Sequence, residues 1–229
     1  MNKYTLGIIG GLLAISSSSA KDNNYYIKAD VGIAKSEKIK SDQNFYKNSG
    51  NKSFNSSPVY SLGFGYKIND KLRSEVVYSY IDLKYKRNIA SEKNPTMIPE
   101  YKQKVNIQTG MINLFYDVAT YQKLTPYIGF GLGYAKIDPK EASVISKMGN
   151  TSYNASYQSN KSENLSYALM SGLSINMTDR INVDIGYKFQ DFGKAKPLYT
   201  PNMLAAAQQV EKGFKIKTHS GTIGVRYSF

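Results

Sequence analysis

Apolar residues alternate with small or polar ones along much of the chain. The clearest stretch is PYIGFGLGYAK at residues 126–136, where Gly129, Gly131 and Gly133 alternate with Ile128, Phe130, Leu132 and Tyr134. Successive side chains of a strand point to opposite faces, so this stretch predicts a strand with one apolar face and one face of hydrogen atoms. A phosphate cradle would need a glycine-rich turn opening a helix. Here the spacing is not that of the dinucleotide fingerprint, and no Lys-Ser/Thr pair follows. Eight segments alternate, at about 25–34, 58–68, 71–83, 105–117, 125–135, 165–177, 180–190 and 217–229. The connections run long (35–57), short (69–70), long (84–104), short (118–124), long (136–164), short (178–179) and long (191–216). This rhythm predicts an all-β fold, an eight-stranded antiparallel barrel with both termini and three short turns at one end and four long loops at the other.

The chain also repeats at an offset of 109 residues. GFGYKINDKLRSEVVYSY (63–80) aligns without a gap to GLSINMTDRINVDIGYKF (172–189), pairing Asp70 with Asp179, Glu75 with Asp184 and Tyr78 with Tyr187. The period is too long for a solenoid and fits two similar hairpins in one barrel. Sorting the strands by parity separates an apolar face from one that holds glycines together with Lys28, Asp30, Lys67, Arg73, Glu75, Asp117, Asp184, Lys188 and Arg226. Five basic and four acidic residues are near balance, as a buried lumen requires, because an unpaired charge out of water costs several kcal/mol. The interior of an eight-stranded barrel is just wide enough to be filled by its own side chains, so the small residues would make room for a structural ion-pair network of Lys28, Asp30, Arg73, Glu75, Asp117, Asp184, Lys188 and Arg226.

Parity alone does not say which face points outward, since a soluble lipocalin-like barrel also alternates, with its apolar face inward. Tyrosines near the strand ends (Tyr66, Tyr80, Tyr116, Tyr127, Tyr134, Tyr187) suit interfacial girdles and favour a transmembrane barrel. The chain of 229 residues contains 20 tyrosines, 18 glycines and no cysteine or tryptophan. Its start, MNKYTLGIIGGLLAISSSSA, carries Lys3, an apolar run from Leu6 to Ile15 and small residues Ser18 and Ala20. That pattern predicts a signal peptide over residues 1–20, with a barrel domain over 21–229. The run is too short for a spanning helix.

The last strand ends GTIGVRYSF, with Ile223, Val225, Tyr227 and Phe229 on one parity. This tail resembles the assembly signal of bacterial outer-membrane barrels, with Tyr227 and Phe229 in the signal positions. Together with PYIGFGLGYA and the hairpin YALMSGLSINMTDRINVDIGYKFQDFGKAK, it makes the chain similar to the small opacity-type, eight-stranded outer-membrane barrels, and within them to rickettsial surface adhesins. The resemblance covers most of residues 25–229 but not the long loops. It implies a bacterial outer-membrane location, contact with outer-membrane lipid and lipopolysaccharide, and insertion by the barrel-assembly machinery through the C-terminal strand. It implies receptor binding through loops, with no receptor carried over.

Catalytic chemistry finds few candidates. The single histidine, His219, is followed by Ser220 on the opposite face, whereas nucleophile and base must meet. With one histidine and no cysteine, neither a metal site nor a cofactor is expected. Glu75 and Asp184 could be read as an acid and base pair, but basic residues of the same parity favour ion pairing. The sequence reads as that of a binding protein, not an enzyme.

Charge points to the loops. The four long connections, taken with Lys217, carry +11 of the net +13. A basic rim attracts acidic partners over long range, and interleaved tyrosines supply contact area at low entropic cost. The candidate ligand-binding residues are Lys84, Lys86, Arg87, Lys93, Tyr101, Lys102, Lys104, Lys194, Lys196, Tyr199, Lys212, Lys215 and Lys217. Expected partners are a host surface, serum or extracellular-matrix protein, or an acidic glycan; nucleic acid is not expected at the cell exterior. A barrel with no defined ligand and a narrow small-solute porin are the alternatives. Residues 150–167, NTSYNASYQSNKSENLSY, read as low-complexity and mobile, and Thr200–Phe214 as a short capped helix.

Overall fold

The computed structural model describes residues 24–37, 56–88, 100–140, 142–148, 151–159, 161–195, 198–199 and 214–229. The predicted signal peptide lies outside them, as does the predicted helix at 200–214 except for Phe214, which opens a strand. Among the described residues there are eleven strands: β1 (Tyr25–Ser36), β2 (Ser57–Lys67), β3 (Leu72–Asn88), β4 (Glu100–Asp117), β5 (Leu124–Pro139), β6 (Ala142–Met148), β7 (Thr151–Ser159), β8 (Ser162–Asn176), β9 (Ile181–Ala195), β10 (Leu198–Tyr199) and β11 (Phe214–Ser228). Eight of them close a ring in the order β1-β2-β3-β4-β5-β8-β9-β11 and back to β1, every pairing antiparallel.

Following paired residues once round the ring gives the stagger. Tyr25 leads through Tyr66, Ser74, Leu114, Phe130, Leu169, Phe189 and His219 back to β1 at Lys35, ten residues further along (35 − 25). With strands about 4.8 Å apart and about 3.3 Å per residue, a stagger of ten over eight strands tilts them by about 40° and sets a backbone radius of about 8 Å. Side chains fill such an interior.

The orientation of the faces is resolved. Leu62, Val76, Ile112, Leu114, Ile128, Phe130, Leu132, Leu169, Ile185, Ile223 and Val225 are exposed on the outer wall, while Arg73, Glu75, Asp184 and Arg226 are buried inside. A wall of this kind suits hydrocarbon, not water. Exposed aromatics border it at two levels: Tyr25, Tyr66, Tyr116, Tyr227 and Phe229 beside the turns and termini, and Tyr60, Tyr78, Tyr134, Tyr167 and Tyr187 towards the long connections. From Tyr25 to Lys35 is about 33 Å along the strand and about 25 Å along the tilted barrel axis, the height of a membrane-spanning band.

Tyr127 does not belong to a girdle. It shares parity with Gly129 and lies buried in the lumen, edge-on to Phe115 at 5.6 Å between centroids. The bare face explains why: a Cβ at Gly65 would meet the Tyr26 ring, one at Gly129 the Phe115 ring, one at Gly131 Asn113, and one at Gly172 or Gly186 the Tyr127 hydroxyl. Gly65, Gly129, Gly172 and Gly186 are recesses for aromatic side chains, and Gly131 is one for Asn113.

The strands run further than the alternating segments, and beyond the upper girdle the faces exchange character. Lys35, Lys84, Lys104, Gln108, Lys136 and Lys215 point outward and are exposed, while Ala34, Val59, Ile81, Leu83, Val105, Ile107, Ala135, Ile137, Phe192 and Ile216 form a buried apolar cluster inside. Within the membrane the barrel is apolar outside and polar inside; above it, the same tube is built like a water-soluble barrel. A β-bulge marks this storey on β9, where the pairing with β11 shifts between Lys215 and Lys217. Gly193 takes a φ of 80° there, a value suited to glycine. The Asp191 carboxylate accepts the Gly193 N–H at 2.8 Å.

Within the stretch expected as a loop at 150–167, residues 151–159 and 162–167 are strand. β6 and β7 form a hairpin from Ala142↔Tyr157 to Met148↔Thr151, β6 continues the sheet beside the tip of β4 (Glu100↔Ile145), and β10 pairs with β7. Polar low complexity does not prevent strand pairing where Tyr, Thr and Val alternate with Ser and Asn.

Candidate functional site

Two groups of charged residues are candidates: one in the lumen, one at the end of the long connections. In the lumen Arg73 donates to Glu75 Oε1 at 3.0 Å and lies 3.2 Å from Asp117, and Tyr26 donates its hydroxyl to the same Glu75 oxygen at 2.9 Å. Asp184 lies 3.4 Å from Lys28 and 3.5 Å from Arg226; Lys28 also sits 3.4 Å from Asp30. The Arg73 guanidinium stacks over Phe115 and Tyr127, at 4.4 and 4.8 Å. Of the eight lumen residues singled out in the sequence, seven are therefore joined by ion pairs. Lys188, the eighth, forms no ion pair among the described residues and lines an interior cavity of about 40 Å³ with Lys28, Asp30 and Asn113. That is room for one or two waters. Glu75 and Asp184 serve as counter-ions, and with the apolar cluster above them the tube is filled at two levels.

The candidates expected on the long connections divide differently. Lys84, Lys86 and Arg87 lie in β3, Tyr101, Lys102 and Lys104 in β4, Lys194 in β9, Tyr199 in β10, and Lys215 and Lys217 in β11. They were expected on loops and are strand residues instead, because the barrel continues past the membrane. Lys93, Lys196 and Lys212 lie outside the described residues. The β3–β4 register sets Lys84 opposite Lys104, and Lys86 opposite Lys102 two residues on, with Arg87 opposite Tyr101. Lys84 and Lys104 are both exposed. Like charges directly across an antiparallel pair destabilise it by a few tenths to about 1 kcal/mol, so this ladder is tolerated against its own local energetics. Lys140 adjoins it, donating its backbone N–H to the Lys104 carbonyl at 2.8 Å. The charges beside the ladder are partly neutralised: Asp138 takes Lys140 and Lys161 at 3.2 and 3.7 Å.

His219 lies on the outer wall, its Nε2 3.1 Å from Glu37 and its Nδ1 hydrogen-bonded to the Tyr187 hydroxyl, with Phe189 beside the ring at 5.3 Å. Ser220 points into the barrel and donates to the Lys188 carbonyl. Histidine and serine therefore lie on opposite sides of the wall.

Two features escaped the sequence reading. The apolar upper core was signalled by a change of parity near the ends of the alternating segments, Ile81 and Leu83 inward with Lys84 outward, and it continues through Ile137, Phe192 and Ile216, which were expected on loops. The shared turn chemistry of the repeat was signalled by Asn69 and Thr178, 109 positions apart: Asn69 Oδ1 accepts the Lys71 and Leu72 N–H groups, and Thr178 Oγ1 those of Arg180 and Ile181.

Comparison with known proteins agrees with this architecture. A candidate adhesin of Rickettsia prowazekii is 27% identical over 219 residues, covering 93% of this chain and 91% of its own. Another, from Rickettsia typhi, is 26% identical over 219 residues, covering 93% and 92%. Among solved structures, Neisserial surface protein A aligns with 90% of this chain and 97% of its own at 20% identity and a TM-score of 0.45. Residues 8–229 match the outer membrane protein beta-barrel domain. The chain belongs to that family of bacterial outer-membrane β-barrels.

Proposed function

We propose that the protein is an adhesin, a binding module that holds the bacterial surface against a host surface protein or acidic glycan. The observation that carries this reading is the like-charged Lys84↔Lys104 and Lys86↔Lys102 ladder, placed by register above the membrane band. A cluster that costs local stability is explained if an acidic partner supplies the missing counter-charge. Long-range attraction by the basic rim would speed encounter, and rim tyrosines would supply contact. The description of the rickettsial relatives as candidate adhesins supports the same reading. A porin is disfavoured because ion pairs and the apolar cluster fill the lumen. Export by a signal peptide at residues 1–20 and recognition of Tyr227 and Phe229 by the assembly machinery complete the proposal.

The test is attachment of refolded protein on beads to host cells, with the four long connections intact or trimmed to short turns. Attachment that disappears on trimming, in a protein that still folds, is the expected result. Equal attachment by trimmed and intact forms would leave a barrel without a loop-borne ligand.

A further inference from the structure

The outer wall carries a notch at the boundary between its apolar band and its charged upper storey. Gly110 on β4 faces outward, and a Cβ built on it meets nothing within 4 Å. Its two register partners are Tyr78 on β3 and Tyr134 on β5, both well exposed. Tyrosines beside a strand glycine can fold over it and cover it; these do not, and the recess between them measures about 270 Å³. That equals roughly nine waters of liquid volume, enough for a small polar headgroup. Gln108, Lys136 and Glu163 line its upper side. Below it the wall continues as Ile112 and Leu132, both exposed and apolar.

The polarity of the recess runs in one direction, from hydrocarbon-facing side chains through two aromatic rings to an amide, an ammonium and a carboxylate. A soluble anion needs no apolar half, and a hydrocarbon chain needs no charged one. Lys136 stands opposite Glu163 in the register, yet forms no ion pair among the described residues, whereas Lys140 and Lys161 nearby are both engaged by Asp138. We infer that the Gly110 notch binds a phosphorylated lipid of the outer leaflet, with its phosphoryl group against Lys136, its hydroxyl-bearing headgroup between Tyr78 and Tyr134 within reach of Gln108 and Glu163, and its acyl chains along Ile112 and Leu132. Interfacial tyrosines favour such a position because one end of the ring is apolar and the other polar. The lipid would fix the depth and rotation of the barrel beside the β3–β4 ladder.

Native mass spectrometry of the full mature barrel, refolded in neutral detergent and titrated with dimyristoyl phosphatidylglycerol or phosphatidylcholine, tests this directly. The wild type should take its first phosphatidylglycerol at least tenfold more tightly than phosphatidylcholine. Gly110→Leu, which fills the recess, and Lys136→Gln, which removes its charge, should each reduce that preference to twofold or less, while Lys123→Gln in a turn at the opposite end leaves it intact. If Gly110→Leu does not refold, Gly110→Ser replaces it, with a smaller loss expected. Glycerol 3-phosphate, the headgroup without chains, should not compete. Absence of a preference in the wild type, its retention in either notch variant, or competition by glycerol 3-phosphate at lipid concentrations would overturn the assignment.

Discussion

At the residue scale the molecule is organised by a few large side chains and the empty places opposite them. Arg73 is almost wholly buried yet ion-paired on two sides and stacked on two rings; Gly65 and Gly129 exist to admit Tyr26 and Phe115. Both were legible from parity, because glycines and charges fell together on one face. Which rings fill the recesses was not, since that depends on cross-strand register, and Tyr127 was assigned to the wrong side although its parity matched that of Gly129. Asp184 is the shared counter-ion of Lys28 and Arg226. Removing one partner of a buried pair strands the others and costs about 3–5 kcal/mol. Asp184→Ala should therefore lower the unfolding free energy of the refolded barrel, measured by urea denaturation, by that amount and shift its midpoint down, whereas Asp70→Ala, in an exposed turn, should leave the free energy within about 0.5 kcal/mol. Equal midpoints for the two variants would mean the lumen network contributes nothing to stability.

At the scale of elements, eight strands and their alternation of long and short connections follow from the chain's period of two, and the ring of β1-β2-β3-β4-β5-β8-β9-β11 matches that expectation. The upper strand ends were missed for a physical reason. A transmembrane strand alternates apolar-out and polar-in, and where it leaves the membrane the alternation inverts; the alternating segments carry only a few residues past that point, to Leu83 on β3 and from Val105 on β4, and the rest reads as loop. The β6–β7 hairpin was missed because its polar, Ser- and Asn-rich sequence resembles a linker, while its partners are each other, the tip of β4 and the short β10. Closure of the barrel through β4–β5 does not use it. Replacing residues 141–160 by a short Gly-containing turn should therefore leave the β-sheet circular dichroism of the barrel and its resistance to unfolding in detergent at room temperature unchanged. Failure of that variant to refold would show that the hairpin is part of the barrel's folding unit.

At the scale of the whole molecule, one tube serves two solvents. Its lower storey is shaped for lipid, with an apolar wall, two aromatic levels and a charge-paired lumen. Its upper storey is shaped for water, with an apolar interior and a basic exterior. A rigid stem of this kind holds the β3–β4 ladder at a set height above the membrane, which limits the entropy lost when a partner binds. The excess positive charge of the connections was legible by counting; its concentration into opposed lysines was not, because that requires the register. Much of the rim's charge lies on paired strands, so its binding energetics should be those of a preformed surface, with fast, salt-sensitive association. The most direct measurement is the association rate of the nanodisc-embedded barrel with host cells at 50 and 300 mM salt, for the wild type and for the combined Lys84→Glu, Lys86→Glu, Lys102→Glu and Lys104→Glu variant. The adhesin account predicts that the wild type associates about tenfold faster at the lower salt and that the variant loses both the rate and its salt dependence. Identical rates for the two proteins at both salt concentrations would contradict it.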